Sequence, residues 1–145
     1  LAGEAAEGFV WATSFYIAYE DAPGSRVQKE IGRKYGRPES FIESVNYTNG
    51  MLAAAIAVEA IRRAQERFKR ITNETVYQAI VGMNGPNAFK PGFAVSTKQG
   101  VEIDFTKSEH TGAEGLRILE AKGGRFVPVT EPFTSALFRK VHYGK

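Results

Sequence analysis

The sequence predicts a mixed α/β fold in which one short strand is followed by three helices and then by several strands. Three observations carry this reading. Apolar residues recur at helical spacing through residues 25–35, 51–68 and 72–82. Apolar and charged residues alternate from Val101 to Phe105. A glycine pair, Gly123-Gly124, separates two β-rich runs near the end. The 145 residues suit one domain, and 43% hydrophobic with 24% charged residues is globular rather than disordered composition.

Gly8 to Thr13 reads as a short buried strand rich in aromatic and β-branched side chains. Ser14 to Gly24 holds Phe15, Tyr16, Ile17 and Tyr19 and ends in Ala22-Pro23-Gly24, which is turn chemistry. It predicts an extended connector, apolar enough to pass between two packed bodies. Ser25 is a candidate N-cap for a helix to Tyr35, with Val27, Ile31 and Tyr35 as its buried stripe, Gly36 at C′ and Pro38 as the stop. The second helix, capped by Asn49, is apolar nearly all round from Met51 to Val58, so its first half is expected to lie deep. From Glu59 it becomes amphipathic, with Ile61, Ala64 and Phe68 on one face. Thr72 can cap a third, shorter helix in which Val76, Tyr77, Ile80 and Val81 pack inward and Gly82 closes the element. A loop rich in Gly and Pro follows, Gly85 to Gly92. After it come the half-exposed strand Val101–Phe105 and a hairpin, Leu116–Leu119 and Phe126–Val129, around Lys122-Gly123-Gly124-Arg125.

A lone strand before three helices gives those helices no sheet to cover. The apolar Met51 helix needs partners that the remaining residues barely supply. The first residue is Leu1 rather than methionine. Together these predict that part of the fold lies upstream.

Composition and motifs exclude several chemistries. The chain has no cysteine, which removes disulfides, thiolate catalysis and cysteine-ligated metals, and only two histidines, His110 and His142. No cofactor is expected. No run approaches the ~20 apolar residues of a membrane span. Neither a phosphate-binding glycine loop, an H-E-x-x-H pair nor a G-x-S-x-G elbow occurs. Ser108-Glu109-His110 cannot face one another as a triad, being consecutive. Glu102 and Asp104 share a strand face and could hold a cation, but a solvated edge is the simpler reading. A net charge of +3 is too small to argue for nucleic acid. The cluster Arg62, Arg63, Arg67, Lys69 and Arg70 suits the solvated C-terminal end of a helix, where cations complement the dipole. No enzyme is indicated, since no nucleophile–base pair is visible. The aromatics Trp11, Phe15, Tyr16 and Tyr19 on the connector, and Phe41 and Tyr47 before the long helix, could line a ligand cleft or plug an interface as core. The residues alone leave both open.

Six segments in register carry a family resemblance. Gly3-Glu4-Ala5-Ala6-Glu7-Gly8-Phe9-Val10 resembles the G-E-x-A-E-G segment of type I periplasmic solute-binding proteins, the branched-chain amino acid family of ABC importers. Tyr35-Gly36-Arg37-Pro38 is similar to that family's aromatic-Gly-x-x-Pro step. Asn46-Tyr47 with the Ala-rich helix resembles its Tyr-Asp-Ala helix, and Thr72 to Ile80 its next, shorter one. The strand Gly100 to Phe105 and the turn at His110 resemble its closing strands. So does the segment Leu116 to Val129, with Lys122-Gly123-Gly124-Arg125-Phe126-Val127 at its turn.

The resemblance implies a partial periplasmic-binding-protein type I fold with its N-terminal part missing, the chain being the C-terminal portion. Residues 1–13 would give a second-lobe strand and 14–24 a crossover. Residues 25–98 would give helices completing the first lobe, and 99–145 strands returning to the second. It implies an extracytoplasmic receptor that binds an amino acid or an aromatic or branched carboxylate between two lobes and delivers it to a membrane permease. The family's carboxylate-binding groups fall upstream of Leu1. What maps here is the apolar wall at Ile42, with Phe41 and Tyr47 beside it and Trp11 and Tyr16 on the crossover. A cytoplasmic ligand-sensing regulator of the same fold and a basic helical nucleic-acid-binding module are the alternatives. Exposed apolar surface on such a piece predicts self-association.

Overall fold

The structure, a computed structural model, describes residues 3–96, 102–108, 110–113, 115–136 and 140. In chain order its elements are β1 (Val10–Thr13), α1 (Pro23–Lys34), α2 (Glu39–Ile42), α3 (Val45–Phe68) and α4 (Asn73–Val81). They continue with β2 (Ile103–Asp104), β3 (Gly112–Ala113), β4 (Arg117–Lys122) and β5 (Arg125–Pro128). The expected order of strand, helices and strands is thus the observed one, with the four-residue α2 added.

Two small antiparallel sheets form. In the larger, β4 lies between β1 and β5, with Trp11 opposite Leu119 and Lys122 opposite Arg125. The β4–β5 hairpin turns on Gly123 (φ 58°) and Gly124 (φ 77°), two successive left-handed residues of the kind a tight two-residue loop demands. The smaller sheet pairs β2 with β3, Ile103 opposite Ala113. The half-exposed strand expected over Val101–Phe105 is therefore shorter, and Val101 lies outside the described residues.

The connector from Ser14 is not extended throughout: Glu20 N donates to Ile17 O (2.9 Å) in a turn, and Pro23-Gly24 open α1 rather than a turn, while Phe15, Ile17, Ala18 and Ala22 are all buried. It does not run alone. Tyr16 N donates to Phe93 O (2.8 Å) and Val95 N to Ser14 O (2.8 Å), so residues 14–16 and 93–95 run antiparallel side by side.

Three expectations about burial are corrected. β1 is not buried: Val10 and Ala12 face outward and only Thr13 is enclosed, because no layer covers that face of the sheet. α1 begins at Pro23 with Ala22 as N-cap, and Ser25 instead donates from Oγ to Ile17 O (3.2 Å). Its inner face is Gly24, Ser25, Gln28 and Gly32, whereas Val27 and Tyr35 of the expected stripe are exposed. The reason is close approach. A Cβ at position 24 would lie 2.6 Å from Gly92 O, and one at position 32 would lie 2.5 Å from Ile42 Cγ1. Gln28 Nε2 reaches Ile42 O (2.6 Å) and Thr48 Oγ1 (3.0 Å), so small and polar groups meet the neighbours best.

The third correction concerns the long helix. It starts at Val45, capped by Ser44, whose Oγ accepts from Tyr47 N (3.2 Å), and not at Asn49. Its alanine-rich first half is not enclosed. Only Thr48, Ala60 and Ala64 are buried, while Ala53, Ala54, Ala57 and Val58 are exposed. α3 packs mainly on α4, with α1 and α2 at its start, and neither sheet lies across it. α4 carries the expected Thr72 cap. Its Ala79 and Val81 are buried, but Tyr77 is exposed, so the inward set is narrower than its apolar residues predict.

Candidate functional site

The connector is held against the larger sheet by Arg117 of β4 and by its own Glu20 and Tyr19, which reach partners about 100 positions away. Arg117, on the inner face of β4 with Leu119 and Ala121, is buried to 4% exposure. Its Nη1 donates to Glu20 Oε1 (2.5 Å), its Nη2 to Glu20 Oε2 and also to Phe15 O (3.3 Å). The guanidinium lies 5.0 Å from the centre of the Tyr16 ring. Glu20 Oε2 additionally accepts from Ile17 N (2.6 Å). Tyr19 completes the attachment. Its hydroxyl donates to Phe126 O and accepts from Phe126 N, both at 2.8 Å, and Arg125 covers its ring. Burial pushes the Tyr19 phenol above its ordinary range, so it stays protonated and keeps its donor.

Tyr16, Glu20, Asp21, Ala22 and Pro23 line a recess of about 260 Å³ beside this attachment. Trp11 stands near it in sequence but packs elsewhere, edge-on to Phe15 (5.8 Å) and tilted against Phe126 (5.4 Å). Phe41 and Tyr47 meet one another at 5.1 Å where α2 joins α3. Ile42 is wholly buried beneath Gly32, its side chain occupied in packing α2 onto α1. The structure therefore leaves the expected site residues in separate groups: Phe41 with Tyr47 beside Ile42, Trp11 with Phe15 and Phe126, and Tyr16 against Arg117. Among the described residues no ring contact joins the groups.

Arg117 and Glu20 escaped the sequence reading. A signal existed: an arginine at the i, i+2, i+4 face of an otherwise apolar strand, shared with Leu119 and Ala121, marks a buried charge that requires a partner.

The two acidic and basic features weighed above have structural uses. Glu102 accepts from Gly92 N (2.7 Å) and Asp104 from Gly85 N (3.1 Å), so this pair caps loop backbone. Burial raises the Glu102 carboxyl above its ordinary range, partly offset by the Gly92 hydrogen bond. Arg62 pairs with Glu59 and Glu66, and Arg63 with Glu59 (2.6 Å) and Asn87 O (2.8 Å). They border a second recess of about 470 Å³ with Arg67, Ala79 and Gly82 between α3 and α4. Among the described residues no three His, Asp or Glu side chains gather to hold a metal ion. No described helix is long and apolar enough to cross a membrane.

No protein-family profile and no curated protein match the chain. Solved structures do. A crystal structure of a branched-chain amino acid ABC transporter from Thermus thermophilus with bound valine matches 99% of the chain at a TM-score of 0.92 and 94% identity. Over almost its whole length the chain therefore resembles part of a branched-chain amino acid ABC transporter binding protein. It spans 37% of that Thermus protein. An ABC transporter permease from the Pseudomonas fluorescens group, at 20% identity and TM-score 0.71, matches 97% of the chain, which spans 35% of it. A fatty acid ABC transporter substrate-binding protein from Thermomonospora curvata, at 22% identity and TM-score 0.65, matches 94% of the chain, which spans 33% of it. These two share the fold. The mixture of helices and small sheets described above is thus part of a periplasmic-binding-protein fold, and the sheet missing beneath α3 is consistent with a partial one.

Proposed function

We propose that this binding-protein segment supplies one wall and two crossings of a receptor that binds a small amino acid, or an aromatic or branched organic acid, between two lobes. The observation that carries the reading is the 94% identity over 99% of the chain to a branched-chain amino acid transporter solved with valine bound. In this reading residues 14–24 are one crossing and 93–95, hydrogen-bonded to them, a second. The sheet of β1, β4 and β5 belongs to one lobe, and α1 to α4 complete the other.

Tyr16 on the crossing with Trp11 on β1 before it, and Phe41 and Tyr47 at the α2–α3 junction, are the proposed apolar walls, with Ile42 supporting the Phe41–Tyr47 pair from below. Binding is reversible and involves no covalent step. Closure of the lobes on the ligand is favoured by the extra contacts the closed state makes. The loaded receptor works outside the cytoplasm and passes its ligand to a membrane permease. Calorimetric titration of the whole protein with L-valine, L-leucine and L-phenylalanine tests the reading. Saturable binding of one of them with about 1:1 stoichiometry supports it, and heats indistinguishable from dilution for all three refute it.

A further inference from the structure

The buried ion pair of Arg117 and Glu20 is an unusual way to fasten a connector. Enclosed ion pairs add little net stability over well-packed apolar residues, because desolvation consumes much of the Coulomb attraction. Their best-attested use is to fix one arrangement among several. Here one guanidinium holds residues 15, 16 and 20 together, through a carbonyl, a ring face and a carboxylate. The carboxylate in turn takes Ile17 N, so the whole stretch 15–20 is tied to β4. Tyr19 repeats the attachment on β5 through Phe126.

Beyond residue 20 the described side-chain ties to the sheet cease, and Ser25 Oγ of α1 reaches back to Ile17 O (3.2 Å). Asp21 pairs only with Arg26 on the surface, and α1 begins at Pro23. At that point Gly24 N bonds Gly92 O (3.0 Å), and a Cβ at Gly92 (φ 76°) would lie 2.8 Å from Pro23 Cβ. Residues 93–95 are likewise bound to 14–16 on the sheet side. Both segments are thus fastened on the sheet side as far as residues 20 and 93, and both meet the helices at 21–24 and 92, a junction spanned by the Ser25–Ile17 hydrogen bond.

We propose that Arg117 is a positioning residue for ligand binding: it makes the crossing rigid, sets the Tyr16 ring, and confines lobe closure to a pivot at Asp21–Gly24 and Gly92. The inference rests on the two-lobed receptor reading. It touches the ligand only through Tyr16 and the crossing. Loss of the clamp lets the crossing bend at more than one place, which disperses the closed state and weakens binding.

The test uses the whole protein with L-valine as probe, comparing wild type with Arg117→Met, Arg117→Lys and Glu20→Gln. Calorimetry gives affinity, small-angle scattering gives valine-induced compaction, and circular dichroism confirms folding at the assay temperature. The expected result is at least a tenfold loss of valine affinity in Arg117→Met with reduced compaction, and a smaller loss in Arg117→Lys, which keeps the charge but not the fork. Glu20→Gln retains hydrogen bonding without the charge and is expected to fall between wild type and Arg117→Met. It decides the matter if Arg117→Met does not fold. Folded variants with wild-type affinity and wild-type compaction overturn the inference, since a merely structural role lowers thermal stability and moves neither readout. Wild type that neither binds nor compacts with any of the three amino acids overturns the receptor reading, and this inference with it.

Discussion

At the scale of single residues, one tight constraint is the meeting of Gly32 with Ile42. Gly32→Ala puts a methyl 2.5 Å from Ile42 Cγ1, and overpacking of this kind costs about 1–3 kcal/mol. Ile42→Ala has the opposite defect, a cavity under α1, and costs about 2–5 kcal/mol. Urea denaturation of both variants checks the pair, and a loss below experimental error in either contradicts the packing described. Glu59 offers a pH test. Hydrogen bonding from Arg62, with further help from Arg63 and against the cost of burial, pulls its carboxyl from the usual 4.5 down to about 2. A depressed carboxyl contributes stability above its unfolded pKa and loses it as pH falls through the folded one. Wild type should therefore lose its advantage over Glu59→Gln between about pH 4.5 and 2. A gap that stays constant in urea midpoints over that window would refute it.

The elements show where local chemistry suffices. Thr72 accepts from Thr75 N (3.2 Å) while Thr75 Oγ1 accepts from Thr72 N (2.9 Å), a reciprocal cap that starts α4 where the sequence places it. Thr72→Ala is expected to cost about 1 kcal/mol, read from the same denaturation curves. The Gly-Gly hairpin is equally local, since few other residues accept two successive positive φ values. α3 differs. Its cap moved to Ser44, whose Oγ accepts from Tyr47 N, although residues 45–50 are weak helix formers, and its basic end is partly neutralised by Glu59 and Glu66. A duplex DNA titration at low salt should be flat. Steep, salt-sensitive binding would restore the nucleic-acid alternative.

At the scale of the whole molecule, the exposed apolar residues fall on faces that neighbours within the chain leave open: Val58 and Ile61 on α3, Val10 on β1 and Val129 beyond β5. Exposed surface of this kind seeks a partner. The 145-residue chain on its own is expected to associate, giving a sedimentation coefficient that rises with concentration. A monomer that persists at high concentration would show that these faces are tolerable in water. The 37% span of the Thermus protein accords with the same picture, in which other parts of a larger fold lie against those faces.

Element order, the α4 cap and the hairpin were legible because each depends on neighbours within a few residues, such as a hydroxyl three positions from an amide or a glycine pair. The resemblance to binding proteins of ABC transporters was legible from short segments in register, none specific alone. Burial was not. Val27 and Tyr35 have the spacing of a buried stripe, yet Gly24 and Gly32 face inward, because what covers a helix depends on which surfaces can come close to it. The deep placement expected of Met51–Val58 failed for the same reason: hydrophobicity states a preference for burial but supplies no covering layer. The same holds for the candidate site. Aromatic residues could be named from sequence, but the clamp that holds Tyr16 joins Glu20 to Arg117 across 97 positions, and only folding brings a carboxylate and a guanidinium that far apart in sequence into one buried pair.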